Sequence, residues 1–366
     1  MIPRYFALLA VSAAFLLTGC PQPPAASGDD PRPDPLPDPT PEVVTGDLKL
    51  GLQDWPRNTW RVGSPLAHER AGLSAGSLGS HVFAIGGDGE ATLELLDPAT
   101  GHWRVIPLPV ENAPGPSSRY FGAAVTAWNR LFYIGGTYNW IRPLVDIYDP
   151  TTQLGLNGKS GAVNDMVFAR MAHAAVVLDE EILVIGGLVA SGEDERKVPT
   201  DGVAALHPGS WTETIEVYAR TSLATPRAGH GAGAIDGHVY VTGGYTDLPL
   251  TGIPEATSSL LRFHANGWHA TTPDGKKLAS LNVPRHSFGA AVLDGKLYVA
   301  GGVGTDGVTL DSVEAYDPTT NRWTPMAPMI APRAHLGLAA HAGHLFAVGG
   351  YDPQGLMRRD VNVFRP

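Results

Sequence analysis

Hydrophobic positions fall along this chain in three unlike patterns. From Phe6 to Leu17 they are nearly continuous, and from Pro21 to Pro41 they are nearly absent. Beyond that they come in short runs such as Val239-Tyr240-Val241 and Leu297-Tyr298-Val299, each followed closely by a Gly-Gly pair. Brief runs of β-branched and aromatic residues bounded by glycine predict strands. Small residues such as Gly289-Ala290-Ala291 and Gly231-Ala232-Gly233 precede these runs, with Asp294-Gly295 or Asp236-Gly237 between them. Asp-Gly favours the type I′ turn of a tight hairpin, so each pair of runs predicts one.

The hairpins recur. Glycine pairs begin at Gly86, Gly135, Gly186, Gly243, Gly301 and Gly349, with spacings of 49, 51, 57, 58 and 48 residues. An arginine stands sixteen positions before every pair: Arg70, Arg119, Arg170, Arg227, Arg285 and Arg333. A third strand then ends near Leu96-Asp97-Pro98, Tyr148-Asp149-Pro150, Leu206-His207-Pro208 or Tyr316-Asp317-Pro318, and Trp103, Trp211, Trp268 or Trp323 opens a fourth. Unit two has Leu154 or Leu156 in place of that tryptophan, which predicts an irregular outer edge. Fixed-period self-similarity of this kind marks a repeat architecture.

These features resemble kelch repeats over about residues 57–366. The resemblance implies an all-β fold, a six-bladed propeller of four-stranded blades around a central channel. The ends of the chain suit that closure. The sixth unit stops after its third strand, Val361-Asn362-Val363-Phe364, while Trp60 lies ten residues before Arg70, as Trp323 lies ten before Arg333. The N-terminal segment is therefore expected to supply the fourth strand of the last blade, closing the ring and removing exposed edges.

The apolar run at the N-terminus is too short to span a bilayer, which takes about 20 residues. With Arg4 and the amino terminus ahead of it, it reads as a secretory signal. Leu17-Thr18-Gly19-Cys20 is similar to the lipobox of bacterial lipoproteins, which implies cleavage before Cys20 and acylation of that residue. The nine prolines between Pro21 and Pro41 predict an extended tether. The expected organisation is thus a signal peptide over 1–19, a disordered tether over 20–46 carrying lipidated Cys20, and the propeller over 47–366. The implied location is outside the cytoplasm, at a cell surface or in the periplasm.

Composition narrows the chemistry. The formal charge is −10, and loss of Arg4 with the signal leaves −11, so a nucleic-acid partner is not expected. One cysteine excludes an internal disulfide. It also disfavours a galactose-oxidase-like copper radical centre, which that family builds on a Cys–Tyr crosslink. No nucleophile motif, phosphate loop or metal signature stands out, and no cofactor is expected.

In an antiparallel meander the start of strand one, the connection from strand two to three and the end of strand four share one face. The six arginines and the variable connections after each glycine pair therefore meet there, with the longest connections in units three and four. Loops of varying length on a constant scaffold carry recognition. Arg70, Arg119, Arg170, Arg227, Arg285 and Arg333 are candidates to bind an anion through paired hydrogen bonds, or else parts of the repeat's own framework. Tyr138, Trp140, Tyr245 and Tyr351, just after glycine pairs, are candidates to anchor a ligand or to pack between loops. His173 and His230 read as structural, and Glu193 to Lys197 as a solvated loop tip. The expected function is a monomeric binding module for a protein or glycan ligand. The alternative is a carbohydrate enzyme resembling the sialic-acid (N-acetylneuraminate) mutarotases, which are exported six-bladed kelch proteins.

Overall fold

The computed structural model describes residues 56–87, 92–108, 119–137, 141, 145–151, 169–191, 196–208, 215–249, 252–264 and 267–366, with the backbone of Val43–Val44 and Gly155–Leu156. The N-terminal apolar run, Cys20, Tyr138, Trp140, Trp211 and the acidic residues Glu193 to Glu195 lie outside the described residues.

The strands form a six-bladed propeller of antiparallel meanders. Blade one runs Ser74–Leu78, His81–Ile85, Thr92–Asp97 and His102–Pro107 from the axis outwards. Blade five repeats it as Gly289–Leu293, Lys296–Ala300, Val313–Asp317 and Arg322–Met326. In blade two the fourth strand shrinks to Gly155–Leu156, at the place where the tryptophan is missing. Blade six closes as the sequence suggests: Thr59–Val62 pairs antiparallel with Val361–Arg365, Trp60 opposite Phe364. One feature differs from expectation. Val43–Val44, inside the segment read as tether, adds a short outer strand to blade one opposite Trp103 and Arg104. The free edge of an outermost strand offers backbone groups to any extended segment nearby.

The inner strands need small residues because they crowd at the axis. A Cβ on Gly289 would stand 2.7 Å from the Leu338 Cβ, and one on Gly337 2.6 Å from the Ala75 Cβ. The Asp236-Gly237 and Asp294-Gly295 turns have positive φ at both residues, 48° and 72°, then 50° and 70°, the geometry of a type I′ turn.

Further out, each described tryptophan of a fourth strand ties its blade to the one before. The indole N–H of Trp103 donates to the Ser64 carbonyl, Trp268 to Thr221, Trp323 to Ala279 and Trp60 to Ala327, at 2.8–3.1 Å. Trp103 itself is 1% exposed, among Leu66, Phe346, Val361 and Val363.

Between blades the glycine pairs do the joining. The second glycine donates its N–H to the carbonyl of the next blade's arginine: Gly87 to Arg119, Gly136 to Arg170, Gly187 to Arg227, Gly244 to Arg285, Gly302 to Arg333 and Gly350 to Arg70, all at 2.8–2.9 Å. Glycine is required at this joint. Gly301 and Gly302 have φ of 67° and 94°, and a Cβ on Gly301 would lie 2.3 Å from the Arg333 oxygen.

Two residues beyond each arginine, the chain takes left-handed φ at Gly72, Phe121, Ala172, Gly229, Ser287 and His335. These six residues form a closed cycle of backbone hydrogen bonds. Phe121 donates to Gly72, Ala172 to Phe121, Gly229 to Ala172, Ser287 to Gly229, His335 to Ser287, and Gly72 back to His335, at 2.6–2.8 Å. The cycle rings the axis on the arginine side of the propeller. On the inner strands below it, a cavity of about 240 Å³ is lined by residues including Val125, Val176, Val177, Ala234 and Val292.

Candidate ligand face

The six arginines do share one face, but their guanidinium groups lie inside it. Their exposures run from 0% for Arg70 and Arg285 to 4% for Arg170. Five of them donate Nη1 to the carbonyl of the first glycine sixteen residues on, at 2.9–3.2 Å: Arg70 to Gly86, Arg170 to Gly186, Arg227 to Gly243, Arg285 to Gly301 and Arg333 to Gly349. Arg119 donates instead to the Tyr133 carbonyl at 3.3 Å and lies over the Tyr133 ring. The fixed offset therefore has a mechanical cause. Five of the six side chains hold their own blade's glycine pair, while all six backbone carbonyls receive the preceding blade's pair. Groups this buried have no open face on which to receive a ligand directly.

Their charges are neutralised unevenly. Arg70 pairs with Glu94 at 3.0 Å, Arg285 with Glu314 at 2.8 Å and Arg119 with Asp146 at 3.0 Å. Arg333 donates a short hydrogen bond to the carboxamide oxygen of Asn362. All four partners occupy one place on the third strand, opposite the residue two before the glycine pair. In blades three and four that place holds Ala204 and Leu261. Among the described residues Arg227 then has only neutral partners, the Gly243 carbonyl and the hydroxyls of Ser259 and Thr225, and none at its Nε. Burial pulls Arg170 and Arg227 down to about 10, so both remain cations at neutral pH. The position is readable in the sequence three residues before the Asp of Asp-Pro or its equivalent, where Glu94, Asp146 and Glu314 contrast with Ala204 and Leu261. Counting arginines alone does not reveal it.

This difference carries a stability prediction. Arg285→Ala should cost about 3–5 kcal/mol, because it strands the buried Glu314 carboxylate. Arg227→Ala leaves no orphaned charge and should cost only ~1–2 kcal/mol, the worth of its hydrogen bonds. Urea denaturation of the two variants provides the measurement, and equal losses would contradict the assigned partners.

Of the aromatic candidates, Tyr245 and Tyr351 are buried, at 5% and 7% exposure. Each backbone is clamped against the residue after the arginine, Tyr245 with Ala228 and Tyr351 with Ala334. Their rings meet His286 and His335 edge-on at 5.3 and 5.9 Å. The clamp turns them into the fold rather than out of a loop, and burial pushes the Tyr245 hydroxyl upward. His173 and His230 pack against the preceding blade, where a Cβ on Gly135 or Gly186 would lie 2.8 Å from the imidazole Cε1. Burial holds both well below the ordinary histidine range, His230 at about 3, and the neighbouring arginine adds to it. Among the described residues no group of three His, Cys, Asp or Glu is placed to hold a metal ion.

What the face presents to solvent is its loops. The blade-three connection rises as a hairpin of Leu188–Ser191 and Arg196–Pro199, and Arg196 Nη2 donates to the Leu248 carbonyl of the blade-four connection at 3.3 Å. Blades five and six carry shorter connections, turned back tightly at Gly307 and Gly355.

Comparison with known proteins agrees with this architecture. The sequence profile of the KLHDC2/KLHL20/DRC7 Kelch-repeats domain matches residues 161–350. Kelch-like protein 23 of Homo sapiens is 26% identical over 270 residues, 73% of this chain and 43% of that protein. Kelch-like protein 33 of Homo sapiens is 33% identical over 153 residues, 40% of this chain and 27% of that protein. Alpha-scruin of Limulus polyphemus is 29% identical over 149 residues, 40% of this chain and 15% of that protein. The chain spans less than half the length of each of these relatives.

Proposed function

The chain belongs to the kelch-repeat β-propeller family, and on that premise we propose that it is a binding module, lipid-anchored through Cys20, whose arginine-side loop face takes an acidic ligand over blade four. Kelch propellers generally bind proteins, which supports the broader part of this reading. The observation that carries the rest is the replacement of the third-strand acid by Leu261 in blade four. Arg70, Arg119, Arg285 and Arg333 each have a carboxylate or carboxamide beside them. Among the described residues Arg227 has none, and its charge projects a positive potential into the loops above through a medium that screens it weakly. A ligand need not touch the guanidinium to be attracted by it. The polarity of the fold supports display away from a membrane. The chain enters the propeller at Asn58, bonded to the Arg365 carbonyl, on the face opposite the arginines.

Leu261→Glu tests the reading by supplying the acid that blades one and five possess. An acidic peptide, oligo-glutamate flanked by glycine, should bind the parent protein and bind this variant at least ten-fold more weakly. Adding salt should weaken the parent's binding, since the Debye length is about 8 Å at physiological ionic strength. Equal binding to both proteins would remove the electrostatic basis. Cys20→Ser addresses the anchor: the variant should leave the membrane fraction, and its retention there after salt washing would defeat the lipid assignment.

A further inference from the structure

The described residues include four large hydrophobic side chains that are exposed: Val62 at 61%, Val308 at 43%, Ile330 at 53% and Leu356 at 61%. Isolated exposed apolar residues are ordinary, whereas a cluster is informative. All four lie on the arginine side of the propeller, and all belong to blades five and six or the connection between them. Val308 and Leu356 occupy the same place, seven residues after the first glycine of their pairs. The connection bearing Ile330 is bonded to the blade-five loop just beyond Val308, Met329 N to the Asp311 carbonyl and Arg333 N to that of Leu310, at 2.8 and 3.1 Å. Val62 adjoins the returning limb of the blade-six loop, with Gly63 N on the Val361 carbonyl at 2.8 Å. Ile253 of the blade-four loop continues the series, its Cδ1 packed against Gly307.

These side chains are held outward by rigid turns. At the blade-five tip Gly307 N donates to the Gly304 carbonyl, Gly304 N to that of Val308, and Val308 N to the Asp306 carboxylate. At the blade-six tip Asp352 N donates to the Leu356 carbonyl and Leu356 N to the Asp352 carboxylate. A tip fixed by its own backbone cannot fold its apolar side chain away, so the surface is pre-organised and loses little freedom when covered. Beside it Arg358 is paired, with Asp352 at 3.5 Å and Asp360 at 2.8 Å.

We infer that Val308, Ile330, Leu356, Val62 and Ile253 form a docking surface for a polypeptide segment that lays aliphatic or aromatic side chains on blades five and six and extends acidic residues towards blade four. This rests on the reading of the loop face given above, and it selects a protein rather than a glycan. Sugar rings stack on flat aromatic faces, but Tyr245 and Tyr351 are buried, and among the described residues the exposed large hydrophobic side chains are aliphatic. The apolar crescent, continuous through Ile253 with the loop over Arg227, whose partners among the described residues are neutral, suits a partner with an apolar part and an acidic part.

The test is selection of 15-residue peptides from a random displayed library on the full chain, with a sialylated glycan array and anionic lipid vesicles as parallel probes. Recovered peptides should combine aliphatic or aromatic residues with acids. Val308→Ser and Leu356→Ser should each weaken the best peptide at least five-fold, and together at least twenty-fold, with the melting temperature unchanged because both side chains are exposed. Leu261→Glu separates this inference from the broader reading. Peptides weakened by Leu261→Glu but indifferent to the two serine variants would overturn the crescent and leave the acidic-ligand face standing. Peptides indifferent to all three would overturn both. Recovery of no peptide, or binding confined to glycans or vesicles, would overturn the polypeptide partner.

Discussion

Removal of residues 56–62 is expected to abolish the cooperative melting transition and drive the protein into aggregates. Four residues of strand, Thr59–Val62, are all that covers the outer edge of Val361–Arg365. Behind that edge Val361, Val363 and Phe364 are fully buried. The Trp60 ring lies 4.8 Å from that of Phe364, its indole donates to the Ala327 carbonyl at 2.9 Å, and Asn58 accepts from Ala327 N at 2.8 Å. The segment therefore fastens blade six to itself and to blade five at once. Without it the ring has an open strand of apolar residues, the arrangement most prone to pair with another chain. Size-exclusion chromatography and calorimetry read the outcome directly. A soluble monomer with a single sharp transition would show that the other interfaces hold the ring unaided.

Acidification gives the second large effect. Burial holds His230 and His286 at about 3 and His335 at about 4, and His173 well below the usual 6.5. The folded protein thus refuses protons that the unfolded chain accepts once the pH drops below about 6.5. The stabilisation is fully present above that value and is lost as pH falls towards the folded values of 3 to 4. Each histidine contributes a slope of up to about 1.4 kcal/mol per pH unit in that range. Between pH 6.5 and 5 the fall belongs chiefly to these residues, because carboxylates such as Asp149, Asp317 and Glu181, held below their ordinary values, are lost only at lower pH. His230→Phe isolates one contribution, since Phe288 fills the same place in blade five, three residues after its arginine. Denaturant midpoints at pH 7.5, 6.5 and 5.5 should show a shallower decline for the variant. Parallel declines would mean that His230 takes up its proton in the folded state as well.

The blades and their closure were legible because a propeller writes its geometry six times. A glycine pair, a turn dipeptide and an arginine at constant offset are local demands that each blade repeats, and Trp60 betrayed the closure by standing ten residues before Arg70, as Trp323 stands before Arg333. The direction of a side chain was not legible. An arginine at a pore mouth and an arginine folded back onto Gly86 or Gly301 have the same spacing, and only the hydrogen bonds at Nη1 separate them. Tyr245 and Tyr351 were ambiguous for the same reason, since a two-sided backbone clamp leaves no mark in composition. The informative departures lay where the repeat breaks: Leu261 in place of an acid, and Val308 and Leu356 at two turns that any polar residue could have filled.

The closed cycle through Gly72, Phe121, Ala172, Gly229, Ser287 and His335 also bears on what an ion would feel on the axis. A helix end attracts charge because its peptide dipoles point the same way and add. Here the six bonded N–H and C=O groups follow one another around a circle, each donor also an acceptor. Vectors laid head to tail around a closed ring cancel in its plane, so this backbone pulls charge towards no one blade despite the number of peptides gathered there. Any sideways bias on a charge near the centre must therefore come from the side chains around the ring, not from the peptides that close it.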